Sequence, residues 1–129
     1  MLLSGPAVAG DVYHAFLAAW VEKFGSSPPG SYHAHAFDAT NILLDAIEAV
    51  ADEKPNGDVL IGRTRLLDAI TATVGFDDIT GSLQCSPTGD CATGEAIGVF
   101  EIGEDEVNEG HWPPKLIWTP ATGLLAENM

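Results

Sequence analysis

The stretch YHAHAFDATNILLDAIEAVA, residues 32–51, decides the fold, because it is long enough and rich enough in Ala and Leu to require a helix. Within it Ala36, Thr40, Leu43, Leu44 and Ile47 predict one apolar face, while Asp45, Glu48 and Asp52 supply polar breaks. The helix is expected from about Tyr32 to Ala51, and Pro55-Asn56-Gly57 punctuates the chain after it. Working upstream, Val12, Phe16, Ala19 and Trp20 recur at the same spacing and predict an earlier helix. Asp11 is suited to cap its start and Gly25 to stop it. Ser26-Ser27-Pro28-Pro29-Gly30 then forms a rigid turn into the long helix. Downstream, Leu66, Leu67, Ile70 and Val74 predict a third helix over Thr64 to Val74, with Thr64 as cap and Gly75 as stop.

Beyond Gly75 the period changes. Ile79-Thr80-Gly81-Ser82-Leu83, Ala96 to Ile102 and Lys115 to Thr119 have the short, β-branched and aromatic character of strands. Ser86-Pro87-Thr88-Gly89-Asp90 separates the first from the second, and Pro113-Pro114 leads into the third. Helices followed by short strands predict an α+β or α/β chain. At 129 residues it is expected to be a single domain, or a fragment of a larger one, spanning residues 1–129.

Composition narrows the function. The chain carries 19 acidic and 5 basic residues, a formal charge of −14. Its cations, Lys23, Lys54, Arg63, Arg65 and Lys115, are scattered, too few to neutralise a phosphate backbone, so no nucleic acid is expected as partner. The same balance disfavours an anionic membrane surface. No apolar run reaches the ~20 residues of a membrane-spanning helix. Low Lys content also suits high salt, where acidic self-repulsion is screened. Met1-Leu2-Leu3 is too short for the hydrophobic centre of an export signal, so either targeting information has been removed or the chain is a piece of a longer protein.

Four stretches, taken in order, resemble the C-terminal part of the branched-chain amino-acid-binding family, type I periplasmic binding proteins of ABC transport. They are Phe16 to Gly25 with the following Pro28; Tyr32 to Ala39 leading into Leu43-Leu44-Asp45-Ala46-Ile47; Ile79 to Leu83; and Gly89-Asp90 with Gly98-Val99-Phe100. The likeness runs over roughly residues 11–112. It implies a partial lobe of a two-lobed α/β receptor that closes over a small solute, with an amino acid as ligand and a membrane permease as partner. It also implies a periplasmic or extracellular location, and no enzymatic step or cofactor. Most strands and most ligand contacts of such a receptor precede the matched region, so a lobe completed by a homodimer is a further expectation.

The resemblance places Tyr32 on the cleft wall, where an aromatic face offers apolar contact at little rotamer entropy. The alternative is a scaffold Tyr packed beneath Pro28-Pro29. His33 is the second ligand-binding candidate. His33 and His35, two residues apart, point in different directions on a helix, which disfavours joint metal ligation, and His14 would join them only through tertiary contact. No metal is therefore expected. Asp38 suits capping or the orientation of a neighbouring loop better than proton transfer. Cys85 and Cys91 flank the Pro87 turn at a spacing that permits a disulfide, with separate thiols or a metal as alternatives. In the resembling family an aromatic and an acidic residue stand where this chain has Cys85 and Ser86, consistent with a staple replacing local packing. The acidic residues Glu101, Glu104, Asp105, Glu106 and Glu109 lack the calcium-loop pattern and are expected to form a solvated turn, as are Asp77-Asp78. No nucleophile elbow, phosphate loop or metalloprotease motif occurs. Two other functions stay open: a sensing or protein-interaction module of the same fold, and a small hydrolase using His and carboxylate groups.

Overall fold

A computed structural model of the chain describes residues 1–91, 96–109 and 114–124, apart from the side chains of Leu3, Asp105, Glu106, Glu109 and Leu124. In chain order the elements are β1 (Leu2–Pro6), α1 (Asp11–Phe24), α2 (His33–Val50), β2 (Asp52–Glu53), β3 (Val59–Leu60) and α3 (Arg63–Thr71). There follow β4 (Phe76–Asp78), β5 (Gly81–Leu83), β6 (Ile97–Glu101), α4 (Glu104–Glu109), β7 (Lys115–Thr119) and β8 (Gly123–Leu124). The fold is thus mixed α/β with open sheets. The chain divides into two units, one of Met1–Tyr32 with Gly94–Met129, the other of His33–Thr93.

In the first unit the sheet order is β1-β6-β7-β8, with every pair antiparallel. The Met1 ammonium and Ile102 amide extend the β1–β6 ladder at one end, at 2.9 and 2.8 Å, and Ala7 N–H donates to Ala96 O at the other. The β6–β7 register shifts between Val99 and Phe100. Gly98 sits where the layers close in. A β-carbon there would fall 2.8 Å from Ala7 Cβ and 3.1 Å from the Trp118 carbonyl oxygen, so only glycine fits without displacement. On α1, Phe16, Trp20 and Phe24 meet at successive four-residue steps as tilted ring pairs, with centroids 5.9 and 4.4 Å apart.

The second unit packs α3 against α2 and adds two hairpins, β2–β3 and β4–β5. The enclosed apolar side chains Ala34, Ile42, Ala46, Val50, Ile79 and Leu83 belong here. On α2 the buried stripe is Ala34, Asp38, Ile42, Ala46 and Val50, a strict four-residue repeat. That corrects the expected face. Leu43 and Leu44 are 40% and 55% exposed, and Ala36 and Thr40 are also exposed. Small Ala side chains let neighbouring backbone approach closely on the buried side, and the repeat includes a carboxylate that a hydrophobic count passes over.

Helix ends also differ from expectation. Gly10, not Asp11, is the N-cap of α1, and Asp11 lies in the first turn, where its charge still faces the positive helix end. Gly25 does close α1 with a left-handed backbone. Gly62 precedes α3 in extended conformation, leaving Thr64 inside the helix rather than at its cap. That helix ends at Thr71, before Gly75, which instead turns the chain into β4. Asp77-Asp78 lie in β4, and Ile79-Thr80, expected within a strand, form the two-residue tip between β4 and β5. The acidic run after Glu101 is helical from Glu104 to Glu109 rather than a turn. Strands do not simply follow helices, because β1 opens the chain and pairs with the late strand β6. Pro113 lies outside the described residues, while Pro114 is buried at the start of β7.

Candidate functional site

The best-organised polar cluster lies within the second unit, where α2 grips the tip of the β4–β5 hairpin. Asp38, in the second turn of α2, is 1% exposed. Its Oδ2 accepts hydrogen bonds from the Thr80 backbone N–H at 2.8 Å and from Thr80 Oγ1 at 2.5 Å. One turn along, Asn41 Nδ2 donates to Asp78 Oδ2 at 3.0 Å. A side chain at i and another at i+3 on one helix therefore hold both sides of a two-residue tip. The tip is itself buried at Ile79 and Thr80, so its amide needs an internal acceptor. Asp38 supplies one. Of the two roles read for Asp38 from the sequence, capping and loop orientation, its geometry gives it the second; Asn41 was not singled out, and Asp78 and Thr80 were read only as parts of a turn and of a strand.

His35, one turn before Asp38, is half-buried. Burial lowers its pKa from the ordinary histidine value, the Asp38 charge partly opposes that shift, and His33 adds to it. This arrangement favours a neutral imidazole, suited to packing and hydrogen bonding rather than to standing charge.

Tyr32 and His33 are chain neighbours at the start of α2, and they differ in environment. Tyr32 occupies a turn and is 62% exposed, while His33 opens the helix half-buried. His14 lies on α1, exposed, in the first unit, whereas His33 and His35 belong to the second. Among the described residues no three His, Cys, Asp or Glu side chains gather as a metal site.

Cys85 and Cys91 are joined by a disulfide, with Cα atoms 3.9 Å apart. They face each other as an antiparallel bridge beyond a five-residue turn. Gly89 N–H donates to Ser86 O at 2.9 Å, and Ser86 N–H to Asp90 O at 2.7 Å. This is a type I turn closed by a left-handed glycine, with Pro87 in the position that favours its fixed φ and Gly89 at φ 90°. Cys85 N–H donates to Thr73 O at 2.9 Å, which ties the base of the turn to the segment after α3.

No family model matches this sequence, and no curated protein matches it. Among solved structures, the chain is similar to the crystal structure of a leucine binding protein from Thermotoga maritima, at 24% identity and a TM-score of 0.55. The likeness is one of fold. It covers 81% of this chain but 28% of that protein, so the chain spans little more than a quarter of its length. The mixed α/β architecture with open sheets is consistent with part of one lobe of such a protein.

Proposed function

We propose that this chain forms part of the C-terminal lobe of a solute receptor and contributes to noncovalent capture of a small amino acid. The observation that carries this reading is the fold likeness to a leucine binding protein over most of the chain. Tyr32, largely in solvent, offers the apolar face in this reading, and His33 is the second candidate contact. Capture in this reading involves no bond making and no cofactor. Its partners are a membrane permease, which receives the solute, and a second copy of the chain, which completes the lobe. This reading implies a periplasmic or extracellular home, which the disulfide supports, since oxidising compartments preserve such bonds.

The test is an amide NMR titration of the chain with leucine, isoleucine and valine. Saturable shifts centred on Tyr32 and His33, lost in Tyr32→Ala, are expected. The absence of a saturable change up to the solubility of leucine would remove independent capture from this chain.

A further inference from the structure

We infer that the Cys85–Cys91 bond is a reversible thiol-exchange site, in which Cys91 is the sulfur attacked, Cys85 is the buried leaving group, and small cationic or neutral thiols are the preferred reagents. Three observations carry this.

The two cysteines differ in exposure. Cys85 is 9% exposed and held against Thr73 by its backbone, whereas Cys91 is half-buried and follows the exposed run Pro87 to Asp90. Thiol–disulfide exchange is an in-line displacement at sulfur, so the thiolate must approach from the side opposite the departing sulfur, and access decides which sulfur is attacked. Attack at Cys85 would need that approach at a buried residue. Attack at Cys91 would come at the more exposed residue, beside the exposed turn.

The turn also closes through contacts other than the bond. Backbone hydrogen bonds from Gly89 to Ser86 and from Ser86 to Asp90 close it, and Ser86 Oγ lies 2.7 Å from Thr88 Oγ1. None of these contacts involves the cysteine sulfurs, so reduction removes none of them directly, and in this proposal they keep the two thiols opposed and ready to close again.

The field selects the reagent. Asp90 adjoins Cys91 in a chain of formal charge −14, which repels an anionic thiol such as glutathione and attracts cysteamine.

In the first step a thiolate forms a bond to Cys91 Sγ as the Cys85–Cys91 bond breaks, and the electron pair leaves on Cys85 sulfur, which takes a proton from water. In the second, another thiolate attacks the reagent sulfur of the mixed disulfide and releases Cys91 as a thiolate, which takes a proton from water. Two thiols are oxidised to one disulfide while the protein disulfide is reduced to two thiols.

The experiment treats the folded chain with cysteamine or glutathione, quenches in acid and maps the mixed disulfide by peptide mass spectrometry. Adducts on Cys91 with Cys85 free, formed faster by cysteamine and with that advantage narrowing in added salt, are expected. Adducts on Cys85, an even distribution, or exchange that begins only when denaturant unfolds the chain would overturn the assignment. Reoxidation of the reduced chain gives an independent reading. Gly89→Ala, which forces a side chain into a left-handed backbone, should slow ring closure about tenfold, and Pro87→Ala should slow it less. Equal closure rates in all three proteins would show that the turn does not hold the thiols together.

Discussion

Two hairpin turns in the second unit share one design and are put to different uses. Lys54-Pro55-Asn56-Gly57-Asp58 and Ser86-Pro87-Thr88-Gly89-Asp90 both place Pro second, Gly fourth and Asp fifth. Both close with the same pair of backbone bonds: Gly57 to Lys54 O at 2.9 Å and Lys54 to Asp58 O at 2.8 Å in the first, with matching contacts in the second. Their glycines have φ of 85° and 90°. What differs is the attachment. The Pro55 turn joins the exposed strands β2 and β3, tied to α3 by one surface ion pair, Arg65 to Asp52 at 2.7 Å. The Pro87 turn stands on a disulfide, and the segment leading to it is held by the Thr73 carbonyl and the Asp38–Thr80 contact. The turn sequence therefore specifies local geometry, while its anchoring to the rest of the unit comes from residues outside the turn.

The largest effect is expected from removing the buried anchor of the second region. Asp38→Ala deletes the acceptor of both Thr80 hydrogen bonds and leaves a buried amide and hydroxyl without it. A loss of about 3 kcal/mol is expected from two stranded donors. For a chain of this size that is a fall in Tm of roughly 10 °C. Asp38→Asn, which keeps a carbonyl acceptor, should lose less. Hydrogen exchange at the Thr80 amide localises the change: it should accelerate in Asp38→Ala while the Gly57 amide in the first turn stays as protected as before. Equal acceleration at the Thr80 and Gly57 amides would mean that the two regions are not separately anchored.

How much of this was legible in the sequence depends on the kind of signal. Helices α1 and α2 and strands β6 and β7 were visible because their apolar spacing or β-branched content is local. The Pro-Asn-Gly segment was seen as punctuation but not as a hairpin, because β2 and β3 contain two residues each and show no alternation. Strand β1 was missed for a different reason. Its Ser4, Gly5 and Pro6 have low strand propensity, and its pairing with β6 is a contact across about ninety residues that no local pattern records. The buried face of α2 was misassigned because Ala34 and Ala46 are weak hydrophobic signals and Asp38 an opposite one. At the candidate site, the sequence offered Asp38 as a loop holder, but its partner Thr80 was legible only once the hairpin tip came to rest beside α2.

A smaller effect, and one specific to the second region, concerns pH. Burial lowers the His35 pKa in the folded chain, with Asp38 opposing and His33 adding to the shift. The unfolded chain binds its proton near the ordinary value, about 6.5. Between those two pKa values the unfolded state holds more protons, so stability rises with pH through that window. The contribution is fully present above the unfolded value and is lost as pH falls through the folded one. Thermal melts between pH 7.5 and 5.5 should show a decline that His35→Gln reduces. In Asp38→Asn, where the opposing charge is gone, the decline attributable to His35 should steepen. A profile unchanged by His35→Gln would place the titration elsewhere.

The smallest effect is expected at the anchor of the first region. Arg65 Nη1 meets Asp52 Oδ2 at good distance, but both side chains are at least half exposed, 56% and 50%. Solvent screens the attraction, and two mobile side chains lose rotamer freedom to make it. Arg65→Ala should therefore change stability by no more than about 0.5 kcal/mol. Removing a cation from a chain of charge −14 also increases general repulsion, which contributes at low salt and fades as the Debye length shortens. The ion pair and the general field are separated by Asp52→Ala, which breaks the same pair but makes the chain less negative. If the pair matters, both variants should be less stable at every salt concentration. If only the field matters, Arg65→Ala should destabilise and Asp52→Ala stabilise at low salt, with the two converging in molar salt. The second pattern is expected, because the Pro55 turn already closes itself through its own backbone and needs little from its neighbour.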